Sequence, residues 1–248
     1  MKRLILRADD LGFSEAVNYG IEKSVRDGLI RSVGLMTNMP ASVHGVELLK
    51  GLPVCYGQHT NICAGRPITE PSKIPSITNE QGEFKSSKQY RNAEEDFVVL
   101  DEVILEIEAQ YKRFKELTGE EPHYFEGHAV ASANFFKGLE IVAERHGLKY
   151  LEMKMDGPAR FGNSKLYMHM ESMRPDYDPM QSLKNITFHE AENEADVFVC
   201  HPGYLDSYIL RVSSLTIPRT QEVEMVCSDE LKKWVRENDI QMMTYDEA

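Results

Sequence analysis

Five residues able to hold a metal or move a proton share one kind of position in this sequence: Asp9, Asp10, His59, His128 and His201. Each follows a short run rich in apolar residues, so each falls at the C-terminal end of a strand candidate. One carboxylate and two imidazoles can hold a divalent metal while leaving positions open for water and substrate. A second carboxylate beside them can take a proton from that water, and a further histidine across the site can protonate a departing group. This is the equipment of metal-assisted hydrolysis of an amide or ester. Taken singly, each residue has a plainer reading. Adjacent aspartates before a helix can cap it. His59 can bond a neighbouring carbonyl, His128 follows a glycine, and His201-Pro202-Gly203 reads as a turn. The common placement argues for chemistry, because His44, His123, His146, His169 and His189 do not share it.

The elements that must carry these residues alternate in type. A buried strand from Arg3 ends at the two aspartates, where alternation of faces loosens enough for both to turn toward one site. Ser14 is a helix N-cap, with the helix running to about Asp27 and Gly28 stopping it. Strands follow at 31–37 and 53–59, with a weaker helix at 42–50 between them. An amphipathic helix extends from about Glu94 to Leu117, its apolar residues recurring at three- and four-residue steps, with Gly119 as its stop. Further strands are expected at 123–128, 149–153, 195–201 and 240–245, and helices at 134–146, 220–227 and 229–237. Residues 155–185 read as irregular, and there are no hairpin signals. The pattern predicts one α/β domain over 1–248, a closed or nearly closed (β/α) barrel of about seven parallel strands with every strand end on one face. No glycine-rich phosphate turn follows the first strand, which weighs against a doubly wound open sheet. Residues 64–96 form a long ordered loop that frames the pocket, since Arg66-Pro67 comes soon after His59.

Composition narrows the partners. The 248 residues are 42% hydrophobic and 27% charged, and the formal net charge of −12 disfavours nucleic-acid backbones. Cys55, Cys63, Cys200 and Cys227 have neither metal-type Cys-x-x-Cys spacing nor a disulfide framework, so free thiols in a reducing compartment are expected. The apolar run after Lys2 and Arg3 is too short for a signal-peptide core, and no run is long enough to span a membrane. A cytoplasmic protein is expected, with no membrane partner. The Tyr, Met and Phe residues of the loops would suit a homodimer contact that also walls the site.

The chain resembles the YdjC-like family of carbohydrate deacetylases, among them the chito-oligosaccharide deacetylases. The likeness is carried by Ala8–Gly12, Asn18–Gly20, Ser32-Val33, Met36–Asn38, Gly57–Asn61, Gly65–Pro67, Ile74–Ser76 and Gly82–Phe84. It continues through Glu126–His128, Cys200–Tyr204, Asp206, Ser213-Ser214, Arg219 and Glu222, and so covers nearly the whole chain. The resemblance implies a distorted barrel and a magnesium or zinc ion held by Asp10, His59 and His128, with Asp9 as general base and His201 as general acid. The implied reaction removes the acetyl group of an N-acetylated sugar, giving acetate and a free amine. Two departures bear on the substrate. Val130 and Ser132 stand where the family usually has further histidines, and Glu126 where it usually has aspartate. A metal-dependent phosphoesterase or other amidohydrolase, and a sugar-binding or regulatory protein without turnover, are the competing readings.

Overall fold

The structure is a computed structural model that describes every residue except Met153 and Met155. It is built on one eight-stranded sheet. The strands are β1 (Arg3–Leu11), β2 (Ser32–Leu35), β3 (Cys55–Thr60), β4 (Tyr124–Gly127), β5 (Ala159–Phe161), β6 (Ser164–His169), β7 (Glu194–Cys200) and β8 (Gln241–Met242). Their order across the sheet is β4-β3-β2-β1-β7-β6-β5, with β8 pairing with β1. Every pairing is parallel except β5 with β6. The sheet curls far enough that Tyr245, just past β8, stacks on Tyr124 of β4 at 4.0 Å and meets Phe161 of β5 edge-on at 5.3 Å. A mostly parallel half-barrel results, as the alternating pattern implies.

Period-two alternation sorts the side chains. On β1, Leu4, Leu6 and Ala8 belong to an outer core with Val33, Leu35 and Phe198. Against them pack α1 (Glu15–Arg26) through Val17, Ile21 and Val25, α8 (Ile217–Cys227) through Val226, and α9 (Asp229–Glu237) through Leu231. A second outer core joins α4 (Leu100–Thr118) and α5 (Ala133–His146) through Ile107, Phe135 and Leu139, over Phe125. The opposite face of β1 sends Ile5 into the barrel interior with Cys55, Tyr124, Leu166, Val197 and Val199. Arg7 and Asp9 follow Ile5 at two-residue steps and are likewise buried. The described residues also form four shorter α-helices, α2 (Ser42–Leu49), α3 (Ser87–Arg91), α6 (Pro179–Lys184) and α7 (Ile209–Val212), and a 3-10 helix at Pro71–Lys73.

Several boundaries differ from expectation. The region 155–185 carries β5, β6 and α6, and β5–β6 is an antiparallel hairpin turning at Gly162-Asn163, with Gly162 at φ +59°. A Gly-Asn pair between short runs is a hairpin signal. The strand expected at 149–153 is reduced to one bridge between Tyr150 and Phe125, its last residue lying outside the described ones. The final strand keeps only Gln241 and Met242. The long helix starts at Leu100 rather than near Glu94, because Asp96 is engaged by the Ser132 hydroxyl and the Asn134 N–H at the start of α5. His169 does end a strand, β6, but bonds Asp196 of β7 at 2.8 Å. The four cysteines are free. Among the described residues, no helix is long and apolar enough to cross a membrane.

The close fit of Tyr124 inside the barrel depends on Gly57, where a Cβ would overlap the tyrosine ring. Gly57→Ala is therefore expected to lower stability by about 1–3 kcal/mol, read as a shift in the urea midpoint at unchanged slope.

Candidate active site

The two aspartates face one site because β1 is irregular there. The register between β1 and β2 shifts between Ala8 and Leu11, and Asp10 adopts φ +76°. A left-handed aspartate costs of the order of 1–3 kcal/mol, and what holds it is charge. Arg219 of α8 donates to Asp10 Oδ2 at 2.7 Å, far along the chain but adjacent in space. Burial opposes ionisation of Asp10, yet Arg219 and His128 outweigh it and keep its pKa well below the usual carboxylate value.

The other oxygen, Asp10 Oδ1, lies 3.4 Å from His59 Nε2 and 3.2 Å from His128 Nδ1, and those two nitrogens are 2.8 Å apart. Three donor atoms thus converge on one point. Among the described residues Oδ1 is buried with no hydrogen-bond partner, and a cation held there would satisfy it. Two imidazole nitrogens at that separation must share a proton or a metal. Glu126 Oε1 accepts from His59 Nδ1, which fixes the tautomer and turns Nε2 toward Asp10. The residues therefore fit a divalent cation. Without one, burial works against a proton on His59, but Glu126 and Asp9 outweigh it and raise its pKa well above the usual imidazole value.

Asp9 is organised differently. Arg7 donates to Asp9 Oδ2 at 2.7 Å and lies 3.8 Å from Glu126 Oε2, while Asp9 Oδ1 is buried and unpaired. Gly34 of β2 makes room, since a Cβ there would sit 3.0 Å from Asp9 Oδ1 and 3.1 Å from His59 Cβ. His201 follows β7 on the far side. Its main-chain N–H donates to Glu222 Oε2 at 2.6 Å, and its Nδ1 is 3.2 Å from the Ser172 hydroxyl. Glu222 also accepts from the Tyr177 hydroxyl at 2.7 Å, and burial pushes its carboxyl up to about 7. Burial lowers His201 to about 4, so its ring is uncharged at neutral pH.

All five residues singled out by sequence line one cleft of about 360 Å³ at the C-terminal ends of the strands. Its walls include Phe13, Phe136, Met170 and Met173, with Ser87, Arg91, Ser213 and Ser214 as polar groups. The 64–96 loop does reach this cleft, through Ala64 and through Ser87 and Arg91 of α3. Val130 also lines it, whereas Ser132 serves as the N-cap of α5, accepting from Phe135 N–H at 3.0 Å. Neither replaces the missing histidines as a donor to the cluster. Sequence reasoning passed over Arg7 and gave no role to Arg219, Glu222, Tyr177 or Ser172. Arg7 carried a spacing signal, two residues from Asp9 on one strand, while Arg219 and Glu222 stood out only as part of the family likeness.

A curled, mostly parallel half-barrel with a His/Asp cluster at its C-terminal rim brings together the groups that metal-assisted hydrolysis uses. Residues 3–237 match the family described as YdjC-like protein. Carbohydrate deacetylase 2 of Listeria innocua serovar 6a is 32% identical, over 98% of this chain and 97% of its own length. Chitooligosaccharide deacetylase of Escherichia fergusonii is 30% identical, over 98% and 97% respectively. The chain belongs to the YdjC-like family. In fold it is similar to a crystal structure from Enterococcus faecalis V583, provisionally described as a cellobiose-phosphate cleavage protein. The TM-score is 0.83 at 22% identity, over 99% of this chain and 98% of the other.

Two outcomes follow from the contacts. Glu126→Gln should weaken divalent-metal binding by roughly 10- to 100-fold, since it removes the charge that orients His59; competition with a chelating dye measures it. Glu222 is the pH-sensitive group. Its pKa is raised from 4.5 to about 7, so the folded state gains stability below pH 4.5 and loses it as pH rises to about 7. Glu222→Gln should remove that loss, so the stability difference between variant and native protein should shift in favour of the variant between pH 4.5 and pH 8 in urea unfolding.

Proposed function

We propose that the protein is a metal-dependent deacetylase of N-acetylated oligosaccharides, releasing acetate and leaving a free amine on the sugar. The observation that carries this reading is the convergence of Asp10 Oδ1, His59 Nε2 and His128 Nδ1 beside a second carboxylate with a free oxygen. Membership of a family whose curated relatives include carbohydrate and chitooligosaccharide deacetylases supports the substrate class. Those three atoms would hold a divalent ion, which when bound supplies Lewis acidity, making water more acidic and polarising the acetyl carbonyl. Two imidazole ligands favour zinc over magnesium, which prefers oxygen donors.

The remaining steps belong to the chain's own groups. Asp9 Oδ1 takes the proton of the attacking water, while Arg7 holds Oδ2 and keeps the carboxylate oriented. His201 delivers a proton to the departing amine from the opposite wall. Burial lowers its proton affinity, so it takes up a proton before acting as the acid. Once charged it protonates the amine as the C–N bond breaks, and the proton that Asp9 removed from water restores the balance over the turnover. Phe13, Phe136, Met170 and Met173 cover the apolar faces of the sugar rings, and the serines and Arg91 meet hydroxyls.

Metal-loaded protein incubated with a series of N-acetylglucosamine oligomers should release acetate, and a chelator should stop it. Absence of acetate from every oligomer, with metal bound, sinks the reading. Asp9→Asn should keep the metal and lower turnover by roughly 10²- to 10⁴-fold; unchanged turnover removes Asp9 from the proton-accepting role.

A further inference from the structure

The end of the barrel opposite the cleft gathers a second set of metal-ligating side chains. Cys55 opens β3, His123 immediately precedes β4, and Asp246 lies in the tail after β8. One donor atom from each lies within 4.8 Å of the others. We propose that Cys55, His123 and Asp246 form a second cation site, which takes a zinc-class divalent ion and ties the C-terminal tail to the floor of the barrel.

The donors are chemically matched to such an ion. A thiolate, an imidazole and a carboxylate are the usual zinc ligands, and the two anions balance a dication, with water in the fourth position. Their scaffolding is firm. Cys55 N–H donates to Arg31 O at 2.7 Å and His123 N–H to Tyr56 O at 2.9 Å, so both ligands sit on hydrogen-bonded backbone. His123 Nδ1 contacts Asp246 Oδ1, while its Nε2 faces Glu120 at 3.7 Å. At that distance Glu120 makes no hydrogen bond to the ring and adds only negative charge near it.

A plain surface ion pair explains less. His123 and Asp246 are partly exposed, and such pairs contribute little, yet here a thiol of only 4% exposure lies within 4.8 Å of the same carboxylate. A nucleophilic cysteine does not fit either, because burial and Asp246 push the thiol up to about 12. A metal reverses that preference by displacing the proton outright. The tail is worth fixing. Tyr245, next to Asp246, stacks on Tyr124, and its hydroxyl accepts from Arg7 at 3.3 Å, so the site supports the residue that holds Asp9.

The test does not depend on catalysis. Protein stripped by chelator and reloaded with cobalt(II) should show thiolate-to-cobalt charge-transfer absorption. That band should persist in Asp10→Asn, which damages only the cleft, and vanish in Cys55→Ala. Bound zinc should fall from about two ions per chain to about one in Cys55→Ala. Because Cys55 is buried, Asp246→Asn on the half-exposed tail provides a second variant, expected to weaken the cobalt band's affinity by roughly tenfold or more. A wild-type protein without the band overturns the proposal. So does a band that survives Cys55→Ala, which would trace it to Cys63 in the cleft, or one whose affinity is unchanged by Asp246→Asn.

Discussion

Arg7 is the residue on which the site depends. It has no exposure to water, and it stands one step below Asp9 on the inward face of β1. Removing a guanidinium from water is costly, and only nearby carboxylates repay it. The reverse also holds. Asp9 and Glu126 lie in the same dry interior, with Arg7 2.7 Å from the first and 3.8 Å from the second. Burial works against charge on Glu126, but His59 and then Arg7 outweigh it and hold its carboxyl below the usual value. Arg219 does the same for Asp10. The three carboxylates against two guanidinium groups leave one formal negative charge uncompensated at the point where the donor atoms converge. Burial opposes a proton on either ring, yet that excess raises both: Glu126 and Asp9 act on His59, and Asp10 lifts His128 to about 9. A dication answers the same demand and releases the proton.

The placement of the five site residues was legible because strand ends and ionisable residues coincide in the sequence. A parallel sheet needs nothing further to bring Asp9, Asp10, His59, His128 and His201 to one rim. What surrounds them was not legible, for physical reasons. Arg7 sits inside an apolar run, where a single charge reads as a strand edge rather than as a buried partner. Arg219 and Glu222 lie on α8, and no periodicity links a helix near the C-terminus to the end of the first strand. The bulge that turns Asp10 inward involves an aspartate, not a glycine, at positive φ, so the usual glycine marker is absent there.

The errors in the fold have a similar origin. The run at 149–153 has strand-like residues, but among the described ones only Tyr150 bridges a strand residue, Phe125, and it is β6 that pairs with β7. Local propensity reports which segments suit a pleated surface, not which obtain a neighbour. The hairpin was missed for a different reason. Its strands are short, and the Gly162-Asn163 turn between them was overlooked within a stretch rich in methionine, proline and glycine.

The same alternation that builds the rim also links it to the floor. Down the interior of β3, Cys55, Gly57 and His59 share one face, and β4 adds Tyr124 and then Glu126. Gly57 leaves space for the Tyr124 ring, Tyr124 stacks on Tyr245, and Tyr245 reaches Arg7. The middle layer of the barrel is therefore aromatic and tightly packed, while the layer above it is charged. An aromatic layer beneath the charges keeps bulk water from entering from below, which preserves the low dielectric that makes each ion pair above it strong. Tyr245 comes from the last few residues of the chain, so closing the floor is the task of the tail. The charged rim at one end of this barrel is thereby joined to the floor at the other by a continuous run of packed side chains.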